Sequence, residues 1–274
     1  MTRRLKLLTG LSTLAVIGAF SLAGCGGEGE GSESESGDTS SAYSGESESE
    51  GTTVATGAEA ESESASLTGD PASDDVEYLR LMGLVRGHLN AFIELYHGGE
   101  IDMALMHVKH PESELYSSLA PAFAARSKPG FADELKALAD AASTHGDIDE
   151  AYSTVVDAIE FHTPNMSVAK KLLAVSGIVR TAADEFDIGV EDDGIISNMH
   201  EYQDAYGFLI ASRDILSGIQ SQDVDDVEAI NVAHEQIEAA LLSFDGLTAS
   251  QTEGRASTIF GAAARVEIAA RGLM

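Results

Sequence analysis

The chain has no tryptophan, one cysteine, and only 16 Lys and Arg against 46 Asp and Glu in 274 residues. Each shortage excludes something. A single thiol rules out a disulfide framework, so whatever folds is held by its core alone. With aromatics at 6%, aliphatic side chains are expected to supply that core. A formal charge of −30 excludes a nucleic-acid partner, because such a surface repels phosphates and anionic headgroups. The acidity reads as a salt-adapted surface, and the alternative is a diffuse field that gathers cations. Catalytic motifs are absent as well. There is no Gly-x-Ser-x-Gly elbow, no phosphate-cradling Gly-rich loop and no His-Glu-x-x-His. The expectation is a binding protein, not an enzyme; a hydrolase has no constellation behind it.

What is present begins at the N-terminus. Arg3, Arg4 and Lys6 precede an apolar run from Leu7 to Leu22, followed by Leu22-Ala23-Gly24-Cys25. A charged start, a short apolar stretch and small residues at a cut make a secretory leader over 1–24. The run is shorter than the roughly 20 apolar residues of a membrane span. Leu22-Ala23-Gly24-Cys25 resembles the lipobox of bacterial lipoproteins. The resemblance implies that Cys25 is acylated, palmitate included, and becomes the mature N-terminus. Loss of three bases would take the formal charge from −30 to −33. Membrane attachment would then rest on lipid, which anchors stably with more than one acyl chain. Gly26 is not the acidic residue that marks inner-membrane retention among lipoproteins. The periplasmic face of an outer membrane is therefore the expected location where the cell has one.

Residues 25–73 are expected to be a lipidated cysteine and an acidic Ser/Glu/Gly tether. From 26 to 73 there are 12 acids and no bases, with little to bury. A flexible chain of this length reaches roughly 40 Å. From 74 to 274 the pattern turns helical. Val76, Leu79, Leu81, Leu84, Val85, Leu89, Phe92, Ile93 and Leu95 recur at three- and four-residue steps. Asp74 and Asp75 stand where an N-cap belongs, and Gly98-Gly99 close the first helix. Further helices are predicted over 101–108, from Pro111, and over 131–143, 147–161, 168–186, 199–218, 224–244 and 249–272. The fold class is all-α, a bundle of about eight helices. A loose echo of His110 and Glu114 in His234 and Glu238 would relate two halves; chance likeness among amphipathic helices is the alternative.

All eight histidines lie in this domain. His107/His110 and His110/Glu114 have the three- and four-residue spacing of one helical face, although Pro111 interrupts the path. Imidazole with carboxylate is a ligand set for zinc, iron, nickel or copper. Capping or core-edge histidines are the competing reading. His88 follows Gly87 in the first helix; Glu94 is two turns further on. Glu201 and Asp204 are three apart, and Glu185 ends the preceding helix, so an antiparallel pair could gather these carboxylates. Close buried carboxylates call for a cation or a raised pKa. Asp192 and Asp193 read as a solvated turn.

The stretch from Glu185 through Asp193-Gly194 to Glu201-Tyr202-Gln203-Asp204-Ala205 resembles the helical extracytoplasmic domains of bacterial high-affinity iron permeases. Gly87-His88-Leu89 and His107-x-x-His110-Pro111-x-x-Glu114-x-Tyr116 resemble exported helical proteins of the same layout, and more distantly the imelysin group. The imelysin Gly-x-His-x-x-Glu signature is absent here, because Gly87 and His88 are adjacent. The resemblance implies metal binding, with His88, His107, His110, Glu114, Glu185, Glu201 and Asp204 as candidate ligands. Iron or another transition metal would be the bound ion, and an envelope or transport protein the partner. The competing class is a metal-free interaction module of the cell envelope, whose histidines would point in unrelated directions.

Overall fold

The computed structural model describes residues 69–111 and 115–274. The leader, Cys25, the tether up to residue 68 and Glu114 lie outside the described residues. Among the described residues there are nine helices: α1 Asp75–Gly98, α2 Ile101–His107, α3 Tyr116–Ala125, α4 Ala132–Thr144, α5 Ile148–His162, α6 Val168–Gly189, α7 Met199–Ser217, α8 Val224–Leu241 and α9 Ala256–Gly272. None of them is long and apolar enough to cross a membrane.

The helix ends follow local chemistry. The Asp74 carboxylate accepts from the Val76 and Glu77 amides, satisfying donors that the first turn cannot. Gly99 closes α1 at φ 88°, a left-handed conformation that suits glycine. Asp147, Ser167 and Asp223 cap α5, α6 and α8 in the same side-chain manner. Phe131 cannot cap α4. The Tyr116 hydroxyl substitutes, accepting from the Phe131 and Ala132 amides at 2.9 and 3.1 Å.

Helices α6 to α9 form an up-and-down four-helix bundle in which α6 packs on α7 and α9, and α8 packs on the same two. Ala174, Ala182, Ala183, Ala262, Ala263 and Ala270 are buried along it. These small side chains let α6 and α9 approach closely. The α6–α7 loop meets the segment before α9 through isolated bridges, Val190 to Ile196 and Ile195 to Gln251. Helix α1 lies against α6 and α7, with α2, α3 and α5 also packed on it. Being covered on nearly every side, α1 is buried around its whole circumference, including a Glu77–Arg80 ion pair at 2.6 Å. The apolar face expected from periodicity is thus wider than one stripe.

Four expectations need correction. The helix after Pro111 begins, as a regular α-helix, at Tyr116 and contains Pro121. Helix α8 ends at Leu241, short of Phe244. Helix α9 starts at Ala256, because residues 249–255 are held extended by the Gln251 bridge and by Thr252 Oγ1 donating to Ser243 O at 2.7 Å. The core is not purely aliphatic: Tyr78, Phe123, Phe131 and His162 pack together, with Tyr78 Oη 2.6 Å from His162 Nδ1.

Candidate metal site

Helix α7 carries His200, Gln203, Asp204 and Gly207 at three- and four-residue steps, which places them on one face. That face meets α1 at its glycines. A Cβ on Gly207 would collide with the Gly87 carbonyl, and one on Gly87 would collide with Phe208. Only glycine permits this approach, and it brings the residue after Gly87, His88, onto the α7 carboxylate.

Asp204 is the centre of the arrangement. His88 Nδ1 lies 2.7 Å and His107 Nδ1 2.8 Å from its Oδ1. His200 Nε2 lies 3.2 Å from its Oδ2, and His110 Nδ1 lies 3.3 Å from His200 Nε2. The His107 and His200 rings stack with centroids 4.3 Å apart. Two groups of donors therefore converge: His88, His107 and Asp204, all buried, and His110, His200 and Asp204, of which only His110 reaches partial exposure.

Hydrogen bonds orient the inner ring. Gln203 Nε2 donates to the Leu247 carbonyl at 2.8 Å, which turns Oε1 toward His107 Nε2, also at 2.8 Å. Both nitrogens of His107 thus lie at hydrogen-bond distance from side-chain oxygens, which fixes the plane of the ring. Burial alone would raise the Asp204 carboxyl; the facing His88 and His107 rings outweigh it and hold Asp204 well below the ordinary carboxylate range. Burial pushes His200 down to about 4, against the pull of Asp204 and with the push of the neighbouring rings. His200 is thus neutral near pH 7. Its Nδ1 is buried without a hydrogen-bond partner, which costs about 1–3 kcal/mol.

Of the residues singled out from sequence, His88, His107, His110 and Asp204 come together. Glu185 and Glu201 are buried on α6 and α7 but belong to neither donor group among the described residues. Glu94, Asp192 and Asp193 are exposed, and His234 and Glu238 sit on an outer part of α8. Two contributors went unselected, His200 and Gln203. The signal for His200 was in the sequence as an i, i+4 pair with Asp204.

The bundle that carries part of this site is similar to a known family. Residues 163–269 match the family model of the iron permease-associated 4-helix bundle domain. The matched segment spans α6 to α9 and includes His200, Gln203 and Asp204; His88, His107 and His110 come from the helices before it. No match was found among curated proteins or among solved structures.

The donor set fits a borderline transition metal. It supplies imidazole nitrogen and carboxylate oxygen and no thiolate, which suits Fe²⁺, Zn²⁺, Mn²⁺, Co²⁺ and Ni²⁺ over Cu⁺ or iron–sulfur clusters. Each group has two histidines and one carboxylate. Gln203 does for His107 what buried acceptors do for metal-bound imidazoles, fixing the tautomer and the ring plane.

Proposed function

We propose that this protein is an extracytoplasmic, lipid-anchored binder of a transition-metal ion, iron in first place, that captures or relays the ion at a membrane. One observation carries the reading: a fully buried carboxylate, Asp204, ringed by His88, His107, His110 and His200 from three separate parts of the chain. Convergence is what a ligand set requires and what an interaction module has no use for. The match of α6 to α9 to the iron permease-associated bundle favours iron and a transport protein as partner. The lipobox-like Leu22-Ala23-Gly24-Cys25 supplies the anchor, and the acidic tether would hold the domain clear of the headgroups. Binding, not turnover, is the activity we assign. Imidazoles bind an ion only when neutral, so capture weakens on acidification.

The test is metal content of the full chain, purified without a histidine tag and incubated with Fe²⁺ under nitrogen, Fe³⁺, Mn²⁺, Co²⁺, Ni²⁺ and Zn²⁺. Tightly held ion that disappears in the His107→Ala/His110→Ala double variant is the expected result. No stoichiometric ion under any condition would overturn the reading in favour of a tethered interaction domain. Mass measurement of the exported protein should find acyl chains on Cys25; an unmodified mature N-terminus would remove the anchor.

A further inference from the structure

Asp204 does not serve its four imidazoles through one oxygen. Oδ1 faces His88 Nδ1 and His107 Nδ1 at 2.7 and 2.8 Å, whereas Oδ2 faces His200 Nε2 at 3.2 Å, beside His110 Nδ1. The two oxygens of one carboxylate thus face different rings. His88 with His107, and His110 with His200, each make with Asp204 a set of two histidines and one carboxylate whose donor atoms lie within 4.8 Å of one another.

The two sets differ in how they stand toward a cation. Donors around one ion with bonds of about 2.1 Å are spaced roughly 3.0–3.4 Å apart. Two edges of the second set, 3.2 Å from His200 Nε2 to Asp204 Oδ2 and 3.3 Å from His200 Nε2 to His110 Nδ1, already have that length. No proton arrangement satisfies His200 in full, since Nδ1 is buried and unpaired. The first set is drawn tighter, to hydrogen-bond length. The first set is fully buried, and the second opens toward solvent at half-buried His110.

We propose that the cluster is a two-ion site in which Asp204 bridges an inner ion, held by His88 and His107, and an outer ion, held by His110 and His200. The proposal rests on the metal-binding reading above and divides it into two steps. The outer position loads first and exchanges with solvent. The inner position, whose three residues are all buried, fills after it and releases slowly. A carboxylate bridge between an exchanging and a retained ion is the arrangement of a relay, where the second ion's arrival weakens the hold on the first by repulsion.

The experiment uses Mn²⁺ on the full chain, with metal counted by elemental mass spectrometry after equilibrium dialysis and with electron paramagnetic resonance at saturation. Two ions per chain and an exchange-coupled spectrum are expected. His110→Ala should fall to one ion with an uncoupled spectrum, and His88→Ala should lower the stoichiometry in the same way. Circular dichroism confirms that each variant is folded, and the wild-type count and spectrum stand without any variant. One ion at saturation would overturn the bridged pair while leaving the metal reading intact. Two uncoupled ions would overturn the bridge. No bound ion would overturn both.

Discussion

Gly207 faces the Gly87 carbonyl so closely that an added Cβ would collide with it, and no side chain at this position fits between α7 and α1 where they cross. His88 and Asp204 come from positions 116 apart in sequence, and this crossing sets them 2.7 Å apart. The glycines are therefore part of the site without touching a ligand.

Gly207→Ala should separate the helices. Alanine gains about 1 kcal/mol of helix propensity over glycine, but overpacking against backbone costs about 1–3 kcal/mol and displaces the donors. Net destabilisation in urea melts with at least tenfold weaker metal binding is expected. Gly261→Ala is the contrast. Its new Cβ would meet only the tip of Arg265, so it should stabilise by about 0.5–1 kcal/mol with binding unchanged. Equal effects of the two substitutions would contradict the close-approach argument.

Gln203→Leu removes the acceptor that faces His107 Nε2 and the bond to the Leu247 carbonyl, but no donor to the ion. Outer partners of this kind are worth about 10–100-fold in affinity. A competition titration should find that loss with the number of ions unchanged. A drop in stoichiometry would make Gln203 a ligand.

Acid should destabilise the ion-free protein before its carboxylates titrate. Burial lowers the pKa of His200 to about 4 and also lowers that of His162. The unfolded chain then binds more protons than the folded one below about pH 6.5, so stability falls with pH from there toward 4. Asp204, whose pKa is depressed, adds its own loss only below the ordinary carboxylate range. Urea midpoints at pH 7 and pH 5 should differ in favour of pH 7; equal midpoints would mean these rings protonate as readily folded as unfolded.

Tyr116→Phe isolates structure from function. It deletes the hydroxyl that caps α4 and leaves the Phe131 and Ala132 amides without that acceptor. The expected cost is about 1–2 kcal/mol in thermal or urea unfolding, with metal affinity unaltered. Weakened binding in this variant would tie α4 to the site.

The all-helical class, the Asp74 cap, the Gly99 stop and most helix ends were legible because they depend on residues within a turn or two of each other. Boundaries failed where distant contacts intervened: residues 249–255 look helical in isolation but pair with Ile195, 56 positions earlier in the case of Gln251. Four of the seven proposed ligands, His88, His107, His110 and Asp204, converge, and Glu114 lies outside the described residues. Glu201 was singled out from the sequence and its neighbour His200 was not, yet one residue rotates a side chain by about 100° around a helix. Which of the two faces α1 is a matter of packing, not of spacing. The sequence by itself thus determined the helices, their caps and the stock of imidazoles and carboxylates, all through short-range hydrogen bonding and periodicity. The tertiary structure decided which of them share a carboxylate. That choice depends on the depth and rotation at which α1 seats on α7, which the glycine-to-backbone contact sets and no local interaction can.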